Sequence, residues 1–163
     1  MTPTPPVAER DVFAHRLRAV FERLAEHVEA IPPSEVDTKV LADGNTPAVI
    51  VAHVLGSARG AVLGIGCGVE VERDRVQEFA TSGGAPERLG ASLRAFVDEA
   101  ERALAATPDG FFDEVTTPPQ AWLGLASQQP MARRAALLSA VAHASEHLGE
   151  LMFIKDTLAA RQG

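Results

Sequence analysis

Apolar residues recur every three or four positions in four separate stretches of this chain, and that period predicts an α-helix in each. The first stretch runs from Asp11 to Ala30. Phe13, Leu17, Val20, Leu24 and Val28 mark its inner face, with Arg16, Arg18, Glu22, Arg23 and Glu26 between them, and Ile31-Pro32-Pro33 ends it. The second opens at Thr46-Pro47, a capping threonine followed by proline at the first helical position. It continues through Ile50, Val51, His53, Val54, Leu55, Ala58, Ala61 and Val62, interrupted only by Ser57 and Arg59, so most of its surface is expected to be buried. Gly64, Gly66 and Gly68 close it. Pro86 opens the third helix, with Leu89, Leu93, Phe96, Val97, Ala100 and Leu104 as its stripe, and Thr107-Pro108-Asp109-Gly110 stops it. Pro130 opens the fourth, which reaches about Ala160 through Leu137, Leu138, Val141, Leu148, Leu151, Met152, Ile154 and Leu158.

The connections carry their own signals. Residues 31–45 contain the turn Asp43-Gly44-Asn45. Residues 67–85 include a short helical piece within Glu72 to Phe79 and a loop at Ser82-Gly83-Gly84. Residues 107–129 form a connection long enough to suggest function. Its Phe111, Phe112 and Trp122 predict that it is ordered and that it walls a substrate pocket. No strand is expected, since Val69-Glu70-Val71 is too short, and there is no internal repeat. Four amphipathic helices in a chain of this length predict an all-α protein, a four-helix bundle forming one domain over residues 1–163, with frayed ends at 1–9 and 160–163. The two later links are long enough to cross the bundle, so a simple up-down-up-down order is not required.

Composition narrows the setting. The 163 residues suffice for a core without staples, and one cysteine, Cys67, leaves no internal disulfide, which suits a reducing cytoplasm. The net charge of −7 argues against a nucleic-acid partner, which needs a basic footprint. The N-terminal segment lacks the apolar core of a secretion signal, and no apolar run is expected to be long enough to span a bilayer.

Candidate chemistry centres on His143 and His147. They lie four residues apart in an apolar helix, so they stack on one face about 6 Å apart along the axis and can converge on one metal ion. His53 lies in the other stretch that is apolar nearly all round. Three neutral imidazoles would leave coordination positions open, as in catalytic rather than structural metal sites, and imidazole suits zinc, nickel, iron and copper. The alternative is three core histidines whose ring nitrogens find hydrogen-bond partners. His15 is expected to be solvated and His27 to sit at the edge of an apolar face. His143-Ala-Ser-Glu146-His147 matches the inverted zinc-protease signature in form only, since the chain offers no room for the later acidic ligand. Glu150 faces the ligand side and could orient a ligand histidine. Gly64-Ile-Gly66-Cys67-Gly68 lacks phosphate-loop spacing and reads as helix termination. Cys67 has no activating neighbour in sequence and reads as an inert thiol. The pairs Asp98-Glu99 and Arg133-Arg134 read as solvated helix faces.

The motifs Thr46-Pro-Ala-Val-Ile-Val-Ala-His53 and His143-x-x-x-His147-x-Gly149-Glu150-Leu151, with the segment from Arg73-Asp-Arg75 through Glu78-Phe79, resemble the DinB/YfiT-like superfamily of helical bundles. The resemblance runs from about residue 10 to 158. It implies an up-down-down-up bundle, homodimers, and a divalent metal site, zinc or nickel, with His53, His143 and His147 as ligands. It also implies a thiol S-transferase or isomerase acting with a low-molecular-weight thiol such as mycothiol, bacillithiol or glutathione on a small electrophile. Other readings are a metal-dependent hydrolase, or a non-catalytic metal- or ligand-binding stress-response bundle.

Overall fold

The computed structural model describes residues 8–108, 110–119 and 129–161. Four long helices form the frame: α1 (Glu9–Glu29), α2 (Pro47–Ala58), α4 (Pro86–Ala106) and α5 (Arg133–Ala160), with the five-residue α3 (Arg75–Phe79) between α2 and α4. The expected frayed ends fall mostly outside the described residues, but Glu9 and Ala160 are helical.

The helix starts follow local chemistry. Thr46 caps α2 by accepting from the Val49 N–H at 3.2 Å, and Pro47 fills the first helical position, where no N–H is needed. Asp74 caps α3 in the same way, through the Gln77 N–H at 3.0 Å. The second helix does not end at its glycines. Residues Arg59–Gly66 continue it as a π-helix, with the Cys67 N–H reaching back five residues to the Val62 carbonyl at 2.9 Å. Gly66 sits where this wider turn meets α5, and a Cβ there would press on Leu137. The joined stretch Pro47–Gly66 corrects one expectation. It has 20 residues and a mean hydropathy of 1.7, enough by length and composition to cross a membrane, yet 67% of it is buried inside the protein. Its apolarity is that of a core helix.

Side-chain pairs give the helix directions. Between α1 and α4, Arg10 reaches the Thr107 carbonyl, Arg18 binds Glu101, and Arg94 binds Glu22 and Glu29, so the two run antiparallel. Between α1 and α5, Glu9 meets Arg134 and Arg23 meets Met152, so these run parallel. Between α2 and α5, His53 meets His143, while Gly66 abuts Leu137 and the Ile65 carbonyl accepts from Arg133, so these run antiparallel. The order is up-down-down-up. Buried side chains of all four long helices join in one core, with Phe21 and Phe96 stacked at 4.7 Å near its centre.

Two expectations about the last connection change. Val115–Thr116 and Met131–Ala132 pair as a two-residue antiparallel ribbon, so α5 begins at Arg133 rather than at Pro130. Arg133 is not a solvated residue. Its guanidinium lies 4.1 Å from the centroid of Phe111 and donates to the Ile65 carbonyl at 2.7 Å, satisfying an acceptor left over where the π-helix ends. Arg134 pairs with Asp113 and Glu9. Asp98 and Glu99 are ion-paired across helices, to Arg18 at 3.1 Å and Arg59 at 2.7 Å.

This placement separates a single-residue anchor from an exposed ionic ladder. Arg133→Ala is expected to lower the unfolding free energy by about 1–3 kcal/mol, because it strands a carbonyl at a helix junction. Arg18→Ala is expected to cost less than Arg133→Ala despite its several carboxylate partners, because those pairs are solvent-exposed. Urea denaturation of both variants checks the ranking, and a larger loss in the Arg18 variant contradicts it.

Candidate metal centre

His53 projects from the middle of α2, and His143 and His147 from the middle of α5. The periodicity that placed the pair on one face holds. Antiparallel packing then brings the third ring to them, and one ligand nitrogen from each ring lies within 4.8 Å of the others. The rings meet edge to face, with centroids 5.0 Å apart for His53 and His143, 5.1 Å for His53 and His147, and 4.6 Å for His143 and His147. His53 Nε2 and His143 Nε2 are 3.0 Å apart. Bonds of about 2.0–2.1 Å to one tetrahedral ion would place ligand nitrogens roughly 3.4 Å apart, so the donor set fits a cation with little adjustment.

The hydrogen bonds behind the rings decide which nitrogens face inward. His53 Nδ1 lies 2.9 Å from Glu78 Oε2. Both oxygens of Glu78 are also held by Arg73, at 2.7 and 3.0 Å, and all three side chains are nearly buried. A carboxylate paired in this way only accepts, so His53 Nδ1 carries the proton and Nε2 presents its lone pair. His147 is arranged likewise, with Nδ1 at 2.8 Å from Glu150 Oε2. His143 has no such support. Its Nδ1 is 4.0 Å from an exposed Glu146, beyond hydrogen-bond range, which agrees with Glu146 having no place in a protease-like motif.

Electrostatics keep His53 and His143 neutral. Burial lowers the His53 value and outweighs the hydrogen bond that His53 donates to Glu78, which raises it. Burial, with the neighbouring His147 and His53, lowers His143 to about 4. Burial raises the Glu78 carboxyl, but the hydrogen bonds from Arg73 and His53 together outweigh it and hold Glu78 below the usual carboxylate value. Neutral His53 and His143 beside the ionised Glu78 make a donor set suited to a cation.

The site opens along His143, whose side chain is 33% exposed against 6% for His53 and 15% for His147. Phe79 stacks beside His53 at 4.8 Å with Arg75 against its other surroundings at 5.0 Å, so α3 forms one wall of the opening. A hollow lined by Val40, Leu41, Phe153 and Ile154 lies on the Glu150 side of His147. Among the described residues of the last connection, Phe111 and Phe112, expected to wall the pocket, are not at the triad. Phe111 stacks on Arg133, ten residues and about 15 Å along α5 from His143. Phe112 is buried against Phe13 at 6.1 Å as part of the core. Trp122 lies outside the described residues. His15 is exposed and His27 half-buried, both away from the triad. Cys67 is half-buried, and burial raises its thiol.

Glu150 was legible as an orienting residue. Glu78 and Arg73 were not given a role from the sequence. Both lie in the segment from Arg73 through Glu78-Phe79 that carries part of the family resemblance, but no spacing within it points to His53.

Three solved structures resemble the whole arrangement. YfiT from Bacillus subtilis, described as a probable metal-dependent hydrolase with an unusual four-helix bundle topology, superposes with a TM-score of 0.70 at 16% identity, covering 98% of this chain and 94% of that one. A conserved protein from Enterococcus faecalis gives 0.68 at 16% identity, covering 95% and 99%. A mycothiol-dependent maleylpyruvate isomerase gives 0.65 at 15% identity, covering 88% of this chain and 61% of that one. No curated protein matches the chain. Similarity at these identities carries the fold, and the sequence profile of the DinB superfamily matches residues 16–151. With most of its length inside that match and its helices in the same bundle, the chain belongs to the DinB superfamily.

Proposed function

We propose that His53, His143 and His147 hold a divalent cation, zinc or nickel, and that the protein is a transferase or isomerase acting through a low-molecular-weight thiol. The observation that carries this reading is the state of the donors. Two of the three rings have Nδ1 tied to a carboxylate and Nε2 turned inward, which is how ligand histidines are prepared for a metal. A cation bound there would supply the positive charge that deprotonates a small thiol at neutral pH, where a free thiol titrates near about 8.5.

The chain's own residues support thiol activation better than water activation. A hydrolase would gain from a side-chain base that manages the proton of the attacking water, although a metal-bound water also loses its proton to solvent near neutral pH. Among the described residues, the carboxylates nearest the triad are engaged or turned away: Glu78 on His53 and Arg73, Glu150 on His147, and Glu146 outward at 78% exposure. Thiol chemistry needs no such base, since the proton leaves to solvent. The sulfur then forms a bond to an electrophilic carbon. In a transfer reaction a leaving group departs from that carbon with its electron pair. The open side along His143 admits both molecules, and Phe79 offers an apolar wall for the carbon skeleton. The cytoplasm is the proposed setting, where Cys67 stays reduced. A metal-dependent hydrolase is the second reading, favoured by the description of YfiT.

Zinc-loaded protein mixed with mycothiol, bacillithiol or glutathione and a chlorobimane or chloronitrobenzene acceptor is expected to turn over. The rate in the His147→Ala variant should fall by at least about tenfold. No thiol-dependent turnover above that variant overturns the transferase reading. Metal-dependent hydrolysis of ester substrates without thiol favours the second reading.

The depressed histidines give a pH signature in metal-free protein. The folded-state value of His143 lies well below the ordinary 6.5, so the unfolded chain binds more protons at this group between that value and about 4. Its contribution to stability is complete above about pH 6.5 and is lost as pH falls toward 4, and His53, also lowered, acts in the same direction. Thermal melts of wild type and His143→Ala across this range check it. The wild type should lose more stability than the variant on acidification, and parallel curves contradict the assignment.

A further inference from the structure

We infer that Glu78 is a positioning residue for His53, held in place by Arg73 on one side and by the missing side chain of Gly56 on the other. The inference rests on the metal reading for its purpose, but its geometry stands apart from any metal. Glu78 is carried by α3, a helix of only five residues, at the end of a connection with little regular structure. Despite that it is 93% buried, and it reaches the ring that is itself most buried in the triad.

Three contacts make this more than a chance ion pair. The Glu78 Oε2 atom that faces His53 Nδ1 also accepts from Arg73, while Oε1 accepts from Arg73 Nε at 2.7 Å. Arg73 is buried as deeply as the carboxylate, its side chain 2% exposed. A Cβ built on Gly56 would run into the carboxylate, with Glu78 Cγ only 3.1 Å away. Gly56 lies mid-helix, where glycine is less favourable than alanine. Room for Glu78 accounts for it.

The arrangement gives the two carboxylates different tasks. Arg73 cancels the charge of Glu78, so Glu78 sets the proton position on His53 without adding negative charge to the site. Glu150 is partly exposed, its side chain at 32%, and sets His147 with its charge facing solvent. Replacing Glu78 by glutamine should reverse its demand. Arg73 donates only, so it claims the amide oxygen, and the amide N–H groups then face His53 Nδ1. His53 would move its proton to Nε2, the nitrogen a metal needs bare.

Long-range proton–nitrogen NMR on metal-free, 15N-labelled protein at neutral pH reads this directly, with zinc titrations alongside. Wild-type His53 is expected to carry its proton on Nδ1. Glu78→Gln should shift it toward Nε2 and weaken zinc binding by about 10–100-fold, while Glu78→Asp, still an acceptor only, keeps the proton on Nδ1. Gly56→Ala, which removes no ionisable group, should weaken zinc binding in the same direction. A wild-type His53 protonated on Nε2 overturns the inference whether or not any variant folds. So does a folded Glu78→Gln variant with an unchanged tautomer and zinc affinity within about twofold of wild type. The expected tautomers in a protein that binds no zinc uphold the positioning role and overturn the metal reading instead.

Discussion

The antiparallel contact between α2 and α5 is the constraint on which the site depends. Imidazoles are bulky, and three of them meet only if the two backbones approach closely around them. Small residues permit this. Ala58 and Ala61 on the α2 side and Ala136, Ala140 and Ala144 on α5 are all buried, and Gly66 leaves room for Leu137. The widened π-turn after α2 carries the chain along α5 for two further turns, and Arg133 closes it by taking the Ile65 carbonyl. π-Turns are uncommon and concentrate near functional sites. Here the feature lies on the helix that carries His53.

Polar order around the rings is built outward in a chain. Arg73 holds Glu78, Glu78 holds His53, and His53 faces His143. Each buried polar atom in that chain has a partner, which is the condition under which buried charge is tolerated. The two histidines with carboxylate support are the more buried ones, and the third faces the opening. That gradient gives the triad a fixed floor and an accessible edge, the geometry a small-molecule reaction requires.

Much of this was legible in the sequence because it is periodic. The four long helices follow from apolar spacing, and the His143–His147 pair follows from the helical repeat itself. His53 stood out because an imidazole in a nearly all-apolar helix needs a polar reason to be there. What escaped were features without a period. Glu78 reaches His53 across 25 residues from a five-residue helix, and nothing in the spacing of its neighbours points there. The two-residue ribbon is too short to alternate detectably. Arg133 looked like half of a charged pair, although its partners are a backbone carbonyl and an aromatic ring that sequence does not bring near it. Aromatic content suggested that Phe111 and Phe112 line a pocket, but aromatics in a connection are as readily used to fasten it, and these are.

In this chain two helices of the bundle bring three histidines together, and two carboxylates set which nitrogens of His53 and His147 face inward. X-ray absorption at the zinc edge, on stoichiometrically loaded protein, tests the centre most directly. The account predicts three imidazole nitrogens at about 2.0–2.1 Å with remaining light-atom ligands from solvent, and the loss of one imidazole shell in His53→Ala. A spectrum with fewer than three imidazoles in the wild type, or one unchanged by that substitution, would contradict it.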